Sequence, residues 1–290
     1  MEPYSLFTIF RFLCRISTNS VLMPIVSVIL PVFNGARFLK EAVESIVQQT
    51  FVDWELIVVD DGSTDTTTEI MSGFHDKRIR YLKNDGNKGL VFSLNRAIEA
   101  ATGRYIARMD ADDISKPERL EKQVIYLELH PEIAVYDVRQ QFIDDAGKPT
   151  GSLNSDITGT ENILRKMPWF NCMGHPSVMM RAEIAKAYRY RKVVYEDYDL
   201  WLRVLNDGLK LERTPEPLLL YRVHSGSIIT QSKQANQHFK KIADTKLFYL
   251  CRLPMGQWFR IFNLKVLIAM NLDYLTWGFK KIKTMFLKNE

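Results

Sequence analysis

The chain has 290 residues, 46% hydrophobic and 25% charged, with 39 Lys and Arg against 34 Asp and Glu for a net charge of +5. This describes an ordinary globular protein with enough apolar residues for one large α/β domain and an appendage, and it excludes a disordered or fibrous chain. From Asn236 onward ten Lys or Arg face three acids, so the rest of the chain is slightly acidic, which speaks against nucleic acid as a partner.

Cys14, Cys172 and Cys251 are odd in number, far apart and without a Cys-x-x-Cys spacing, so they support neither a disulfide framework nor a zinc site and fit a reducing cytoplasm. Residues 16–36 carry no charge and follow Arg11 and Arg15, as a signal or membrane segment would. Asn19, Pro24, Pro31 and Asn34 interrupt them, however, and no small-x-small cleavage site follows. The second half of that stretch reads as a core strand.

In chain order, Ile25-Val26-Ser27-Val28-Ile29-Leu30 is β-branched and nearly continuous in apolar character, as a central strand covered on both faces should be, and Pro31 is expected to end its ladder. Leu39, Ala42, Val43, Ile46 and Val47 recur at helical spacing. Residues 55–59 form a second strand running into Asp60-Asp61-Gly62-Ser63. A helix over residues 66–71, a short strand over 79–82, a helix marked by Leu90, Leu94, Ala97, Ile98 and Ala101, and a strand from residue 104 follow. This alternation predicts parallel βαβ units.

Ligands of open α/β sheets bind beyond the carboxyl ends of the strands, and the notable polar groups fall there. Pro31-Val32-Phe33-Asn34, Asp60-Asp61-Gly62-Ser63 and Asp110-Ala111-Asp112-Asp113 should converge on one rim. An aromatic ring, a carboxylate able to accept from a base N–H and an Asp-x-Asp pair able to hold a hard divalent cation together describe a site for a nucleoside diphosphate. Neither Gly-x-Gly-x-x-Gly nor a P-loop occurs, so a metal must carry the phosphates. The competing reading is a plain acidic loop before a helix, with Ser115-Lys116-Pro117-Glu118 as its N-terminal capping segment.

Residues 26–34, Gln49-Thr50-Phe51, residues 55–65, Asn87-Lys88-Gly89-Leu90 and residues 110–113, then Gly174-His175-Pro176-Ser177, residues 196–203 and Tyr221-Arg222-Val223-His224, together resemble the family 2 glycosyltransferases. The resemblance covers about residues 24–230. It implies a GT-A fold, a Rossmann-like and mostly parallel sheet flanked by helices, and an inverting transfer from a nucleotide-diphosphate sugar, foremost a UDP-sugar, with Mn2+ or Mg2+. It places Pro31, Phe33 and Asn34 around the nucleoside, Asp61 on the base, Lys88 near the phosphates, Asp110 near ribose and metal, Asp112 as principal metal ligand and His224 as a further one. On it rests a division into an extension (1–23), a nucleotide-binding half (24–115), an acceptor half (116–230) and a basic helical tail (231–290).

Inversion at an anomeric carbon needs a base for the acceptor's proton and a cation for the leaving diphosphate, so two carboxylate groups must be separated. Asp197 is the candidate base, against the plainer role of acids in a helix's first turn, and Glu196 and His175 are expected to line the donor or acceptor. Trp201 and Arg203 are assigned to packing and ion pairing, and Trp169 to sugar stacking or core. Tyr136 and Asp137 stand where relatives often carry Gly, which leaves the packing of that strand open. No Gln-x-x-Arg-Trp segment occurs, so single addition is expected rather than polymerisation. A sugar nucleotidyltransferase and a non-catalytic nucleotide-sugar scaffold are the alternatives. The resemblance implies a saccharide or lipid-linked acceptor, in surface polysaccharide or glycolipid synthesis. Leu275, Phe279, Ile282 and Phe286, with Lys280, Lys281, Lys283 and Lys288, read as an interfacial helix held at the inner face of the cell membrane or as a helix docked on the domain.

Overall fold

The computed structural model describes residues 23–152, 157–224 and 237–286, with side chains to residue 281 in the last stretch. The expectations for residues 1–22 and for the side chains of Ile282, Lys283, Phe286 and Lys288 lie outside these. A first half alternates β1 (Val26–Val32), α1 (Leu39–Val47), β2 (Trp54–Asp60), α2 (Thr67–Ser72), β3 (Ile79–Lys83), α3 (Leu90–Ala100) and β4 (Tyr105–Arg108). Strands β3-β2-β1-β4 run parallel in that order, so the chain leaves β1 once toward each side and a crevice opens at the ends of β1 and β4. Every residue of β1, β2 and β4 is buried, which explains their apolar runs.

The second half contributes β5 (Ile114–Ser115), α4 (Arg119–Leu129), β6 (Ile133–Ile143), β7 (Pro149–Ser152), α5 (Thr160–Lys166), a 3-10 turn (His175–Ser177), β8 (Met179–Arg181), α6 (Ala182–Tyr188), α7 (Glu196–Asn206) and β9 (Lys210–Arg222). β8 adds antiparallel to β4, β6 antiparallel to β8, and the long β9 parallel to β6, while β5 closes the edge against β9. That path carries the end of β9 back beside the loop after β4.

Two local expectations are corrected. Pro31 does not end the ladder: β1 continues to Val32, with Pro31 opposite Val59. Pairing with β4 stops at Ile29, so the N–H that proline lacks falls on the side where β1 has no neighbour left. Ser115 does not cap α4. It lies in β5, where its Oγ accepts from Gln49 Nε2 at 3.2 Å, and α4 starts after Glu118 without a side-chain cap.

The tail forms α8 (His238–Leu250) and α9 (Ile261–Phe286), packed on each other and on α7. Ala243, Tyr249, Leu250, Val266 and Met270 join the same apolar core as Trp201, Leu202 and Leu205 of α7. Lys246 is fully buried and donates to Asp273 Oδ2 at 2.7 Å and to the Trp169 carbonyl at 3.0 Å. Among the described residues no helix is long and apolar enough to cross a membrane.

Candidate active site

The three loops meet as expected. Asn34, in a left-handed conformation (φ 50°), donates its N–H to Ser63 Oγ at 2.9 Å and accepts from the Thr64 N–H at 2.9 Å, which joins the loops after β1 and β2. A Cβ on Gly35 would lie 3.6 Å from Ala111 Cβ, so the first loop also rests on the Asp110–Asp113 turn. Phe33 is 47% exposed on this rim. Pro31, in contrast, is buried in β1 and presents no surface to a nucleoside.

Asp61 is 4% exposed and already engaged: Oδ1 accepts from Asn84 Nδ2 at 2.6 Å and from the Lys88 N–H at 2.9 Å, and Oδ2 from the Gly89 N–H at 2.7 Å. It therefore pins the 84–89 loop at the start of α3, with one lone pair of Oδ2 left over. The Lys88 side chain pairs with Asp85 at 3.0 Å on the surface.

At the end of β4, ligand atoms of Asp110, Asp112 and Asp113 lie within 4.8 Å of one another. Arg108, two residues before Asp110 and so on the same face of an extended chain, is 2% exposed and clasps the Asp110 carboxylate, Nη1 donating to Oδ2 at 2.6 Å. Asp113 accepts the Arg222 N–H on Oδ1 at 2.9 Å, and its buried Oδ2 has no partner. Burial raises the Asp110 carboxyl above the ordinary range, opposed by Arg108, while burial together with Asp110 and Asp112 pushes Asp113 well up. Three carboxylates against one guanidinium, with an orphaned oxygen, are a cluster short of positive charge, and the donor set of hard oxygens fits a divalent cation.

β9 delivers the next residue. Arg222, buried, donates to the Asp112, Asp144 and Asp145 carbonyls and to Glu41, and lies over the Phe38 ring. This anchor sets His224 Nε2 2.9 Å from Asp112 Oδ2. Asp110 and Asp112 are thus brought together with Asp113, a carboxylate that sequence reasoning left without a role, and His224 stands against Asp112.

The opposite wall is the first turn of α7. Asp197 Oδ2 accepts from Asn171 Nδ2 at 2.7 Å and Oδ1 from the Tyr198 N–H at 2.8 Å. Burial raises its pKa above the usual value for an aspartate. Burial, and then Asp197, push Glu196 up to about 8. His175 Nε2 lies 2.9 Å from the Tyr190 hydroxyl and Nδ1 3.5 Å from Glu196, and burial, with Arg108 nearby, holds its pKa well below the usual value of a histidine. Arg108 acts electrostatically on Asp110, His175, Tyr190, Glu196 and Asp197, so one buried guanidinium charge is shared by the Asp110–Asp113 turn and the first turn of α7.

The segment carrying His175 is held from β6. Asp137, fully buried, accepts from Arg213 Nε at 2.8 Å, the Gly174 N–H at 2.8 Å and Ser177 Oγ at 2.5 Å. A Cβ at Gly174 would come within 2.2 Å of Gln140 Nε2, so a larger residue there would displace the Gln140 side chain from Ser177. Asp137, the residue that left this strand's packing open, is the pin of the His175 turn, while Tyr136 stacks on Tyr126 at 3.9 Å. A charge inside an apolar strand run signals a buried partner. Trp201 and Arg203 serve packing and ion pairing, Arg203 Nε donating to Asp199 at 2.9 Å.

Comparison with known proteins agrees with this geometry. The model of "Glycosyl transferase family 2" matches residues 27–189. The chain is 38% identical over 212 residues to EpsE of Bacillus subtilis (strain 168), covering 70% of this chain and 74% of that one. It is 31% identical over 206 residues, 71% of this chain and 80% of the other, to the Escherichia coli UDP-Glc:alpha-D-GlcNAc-diphosphoundecaprenol beta-1,3-glucosyltransferase WfaP. Among solved structures, the mannosyltransferase PcManGT from Pyrobaculum calidifontis, in complex with GDP-Man and Mn2+, superposes with a TM-score of 0.65 at 16% identity, covering 94% of this chain and 80% of that one, and shows the shared fold. With the ordered loops, the carboxylate cluster and the family match falling on the same residues, the chain belongs to glycosyl transferase family 2 and is a glycosyltransferase of the GT-A fold.

Proposed function

We propose that this glycosyltransferase transfers a sugar, with inversion, from a nucleotide-diphosphate donor, foremost a UDP-sugar, to one hydroxyl of a saccharide or lipid-linked saccharide. Its setting is surface polysaccharide or glycolipid synthesis on the cytoplasmic side of the membrane. The observation that carries the reading is the cluster of Asp110, Asp112 and Asp113 at the end of β4, with Asp110 within electrostatic reach of Asp197 at the start of α7. WfaP, by its name, uses a UDP-sugar and a polyprenyl-diphosphate acceptor, and PcManGT holds GDP-Man with Mn2+. These support the donor class, the metal and the acceptor class.

In this reading residues 24–115 hold the donor and residues 116–230 the acceptor. Phe33 and Asn34 border the nucleoside, and Asp61 accepts from the base with its remaining lone pair. Asp112, Asp110 and His224 hold Mn2+ or Mg2+, which when bound neutralises charge on the leaving diphosphate. Asp197 Oδ takes the proton from the acceptor hydroxyl. That oxygen bonds to the anomeric carbon from the face opposite the diphosphate, the carbon–diphosphate bond breaks, and its electron pair leaves with the nucleoside diphosphate. Asn171 and the Tyr198 N–H orient Asp197, and Glu196 with His175 positions the acceptor.

The test is release of nucleoside diphosphate over a panel of UDP-, GDP- and dTDP-sugars with saccharide and lipid-linked acceptors, with Mn2+ or chelator. Turnover of one donor that requires metal and acceptor supports the reading. Full turnover in chelator, or donor binding without turnover across all acceptors, counts against it, the latter in favour of a non-catalytic nucleotide-sugar binder.

A further inference from the structure

Helix α9 is apolar on two opposite sides, and among the described residues only one is covered. Val266, Ala269, Met270 and the buried Asn263 face α7 and α8. Ile261, Leu264, Ile268, Leu272, Leu275 and Phe279 are 42–73% exposed. Spaced three and four apart, these six fall within an arc of about 80° at about 100° per residue, on the side away from the core, and extend over about 27 Å at 1.5 Å per residue. Met255 and Phe259, at the start of the helix, add 85% and 82% exposed side chains. A docked helix buries its apolar stripe, so docking on the domain accounts for one side of α9 and leaves the other uncovered among the described residues.

The charge around the stripe says what fits it. Arg260, Lys265 and Lys280 border it, Arg260 also donating to the Asn206 carbonyl and Lys280 lying over the Phe239 ring, while the two acids of residues 237–286, Asp244 and Asp273, pair with Lys240 and Lys246. The outward side of the tail is therefore apolar and cationic. Packing against a second copy about a two-fold axis would set these cations against each other, whereas an anionic surface with an apolar interior complements both features. The pair is also tied to the catalytic end of the molecule: Tyr195, just before Glu196, places its hydroxyl 2.9 Å from His238 Nδ1 in the first turn of α8.

We propose that α9 lies in the headgroup layer of an anionic lipid bilayer, its Ile261–Phe279 stripe inserted and its cations on the lipid phosphates. The contact rests on the lipid-linked acceptor reading for its purpose, while the assay below uses neither donor nor acceptor, so the two can fail separately. The full chain is sedimented with vesicles of equal parts phosphatidylglycerol and phosphatidylcholine and with vesicles of phosphatidylcholine alone. It should partition onto the anionic vesicles, and raising salt from 0.1 to 1 M, which shortens the screening length from about 10 to about 3 Å, should weaken this at least about tenfold. The full chain carrying Ile268→Ser, Leu272→Ser, Leu275→Ser and Phe279→Ser should lose binding by a similar factor or more at an unchanged melting temperature. Arg260→Gln, Lys265→Gln and Lys280→Gln together should abolish the preference for anionic vesicles. Absence of binding by the native chain, or equal binding by the serine variant, overturns the proposal. A native dimer in light scattering that the serine variant dissolves, without vesicle binding, assigns the stripe to a second copy instead. A large fall in melting temperature of the serine variant assigns it to another part of this chain.

Discussion

Arg108 and Asp110 face each other across the end of β4 in a two-point contact, Nη1 donating to Oδ2 at 2.6 Å and Nη2 to Oδ1. The guanidinium is buried, and its charge acts on both carboxylate groups. Arg108→Met should therefore leave Asp110, Asp112 and Asp113 uncompensated and lower stability in chelator by about 3–5 kcal/mol, the usual cost of breaking a buried pair from one side. Mn2+ should raise the melting temperature of the variant more than that of the native chain. Equal metal-induced shifts in calorimetry would remove Arg108 from the electrostatics of the cluster.

Asp112→Asn keeps the side chain's size and removes an anionic ligand 2.9 Å from His224. Metal-dependent donor binding should weaken at least about 100-fold and turnover should fall by about 10³ or more. Calorimetric titration of donor with and without Mn2+ checks this, and unchanged affinity would place the metal elsewhere.

Asp197→Asn should behave differently, because this side chain stands on α7, apart from the Asp110–Asp113 cluster at the end of β4. Donor affinity should be nearly retained while the rate falls by about 10² to 10⁴. Asn171→Ala, which frees Asp197 Oδ2 from its donor, should cost less, about tenfold, in rate and little in KM for the donor. Equal losses of binding and rate in Asp197→Asn would move that residue to the donor site.

Glu196 binds its proton more tightly in the folded chain than in the unfolded one, with burial raising its pKa from 4.5 to about 8. A carboxyl whose folded pKa is raised gives stability that is full below the unfolded value and is lost as pH climbs through the folded one. Glu196→Gln removes that loss. In chelator its melting temperature should exceed the native value by about 3 °C or more at pH 8.5, with the difference closing at pH 4. Parallel melting curves at all pH values would refute the coupling.

The parts legible in the sequence were those governed by local periodicity: β1 to β4, the helices between them, and the three loops on one rim. The family motifs then carried Asp110, Asp112, Asp197 and His224 to one crevice. What stayed hidden depends on distant partners. Asp137 reads as an odd charge in an apolar run until β9 brings Arg213 against it across 76 residues. Pro31 reads as a stop until β4 is seen to end at Ile29. Asp61 reads as a free carboxylate until the 84–89 loop folds over it. Sequence periodicity marked an apolar side of the tail helix near Leu275 and Phe279, but only its docking on α7 and α8 shows that this side faces outward.

Asp137→Ala would strand Arg213, 6% exposed, and free the Gly174 and Ser177 donors at once. Stability should fall by about 3–5 kcal/mol, and the rate should fall further than in variants of similar stability elsewhere, because the His175 turn loosens. A rate loss no larger than that of an equally destabilised core variant would limit Asp137 to folding.

The buried Lys246 has a practical consequence for where this domain ends. The family match stops at residue 189, yet the core that seats α7 is completed by side chains as far along as Met270. A chain cut between β9 and α8 would bare the Tyr249 and Val266 side of α7's packing and leave the Trp169 carbonyl without the ammonium that caps it. The apolar core that seats α7 therefore reaches Met270 inside α9, about eighty residues past the end of the family match, and a shortened chain that turns out inactive would report on a broken wall of the core rather than on a missing accessory.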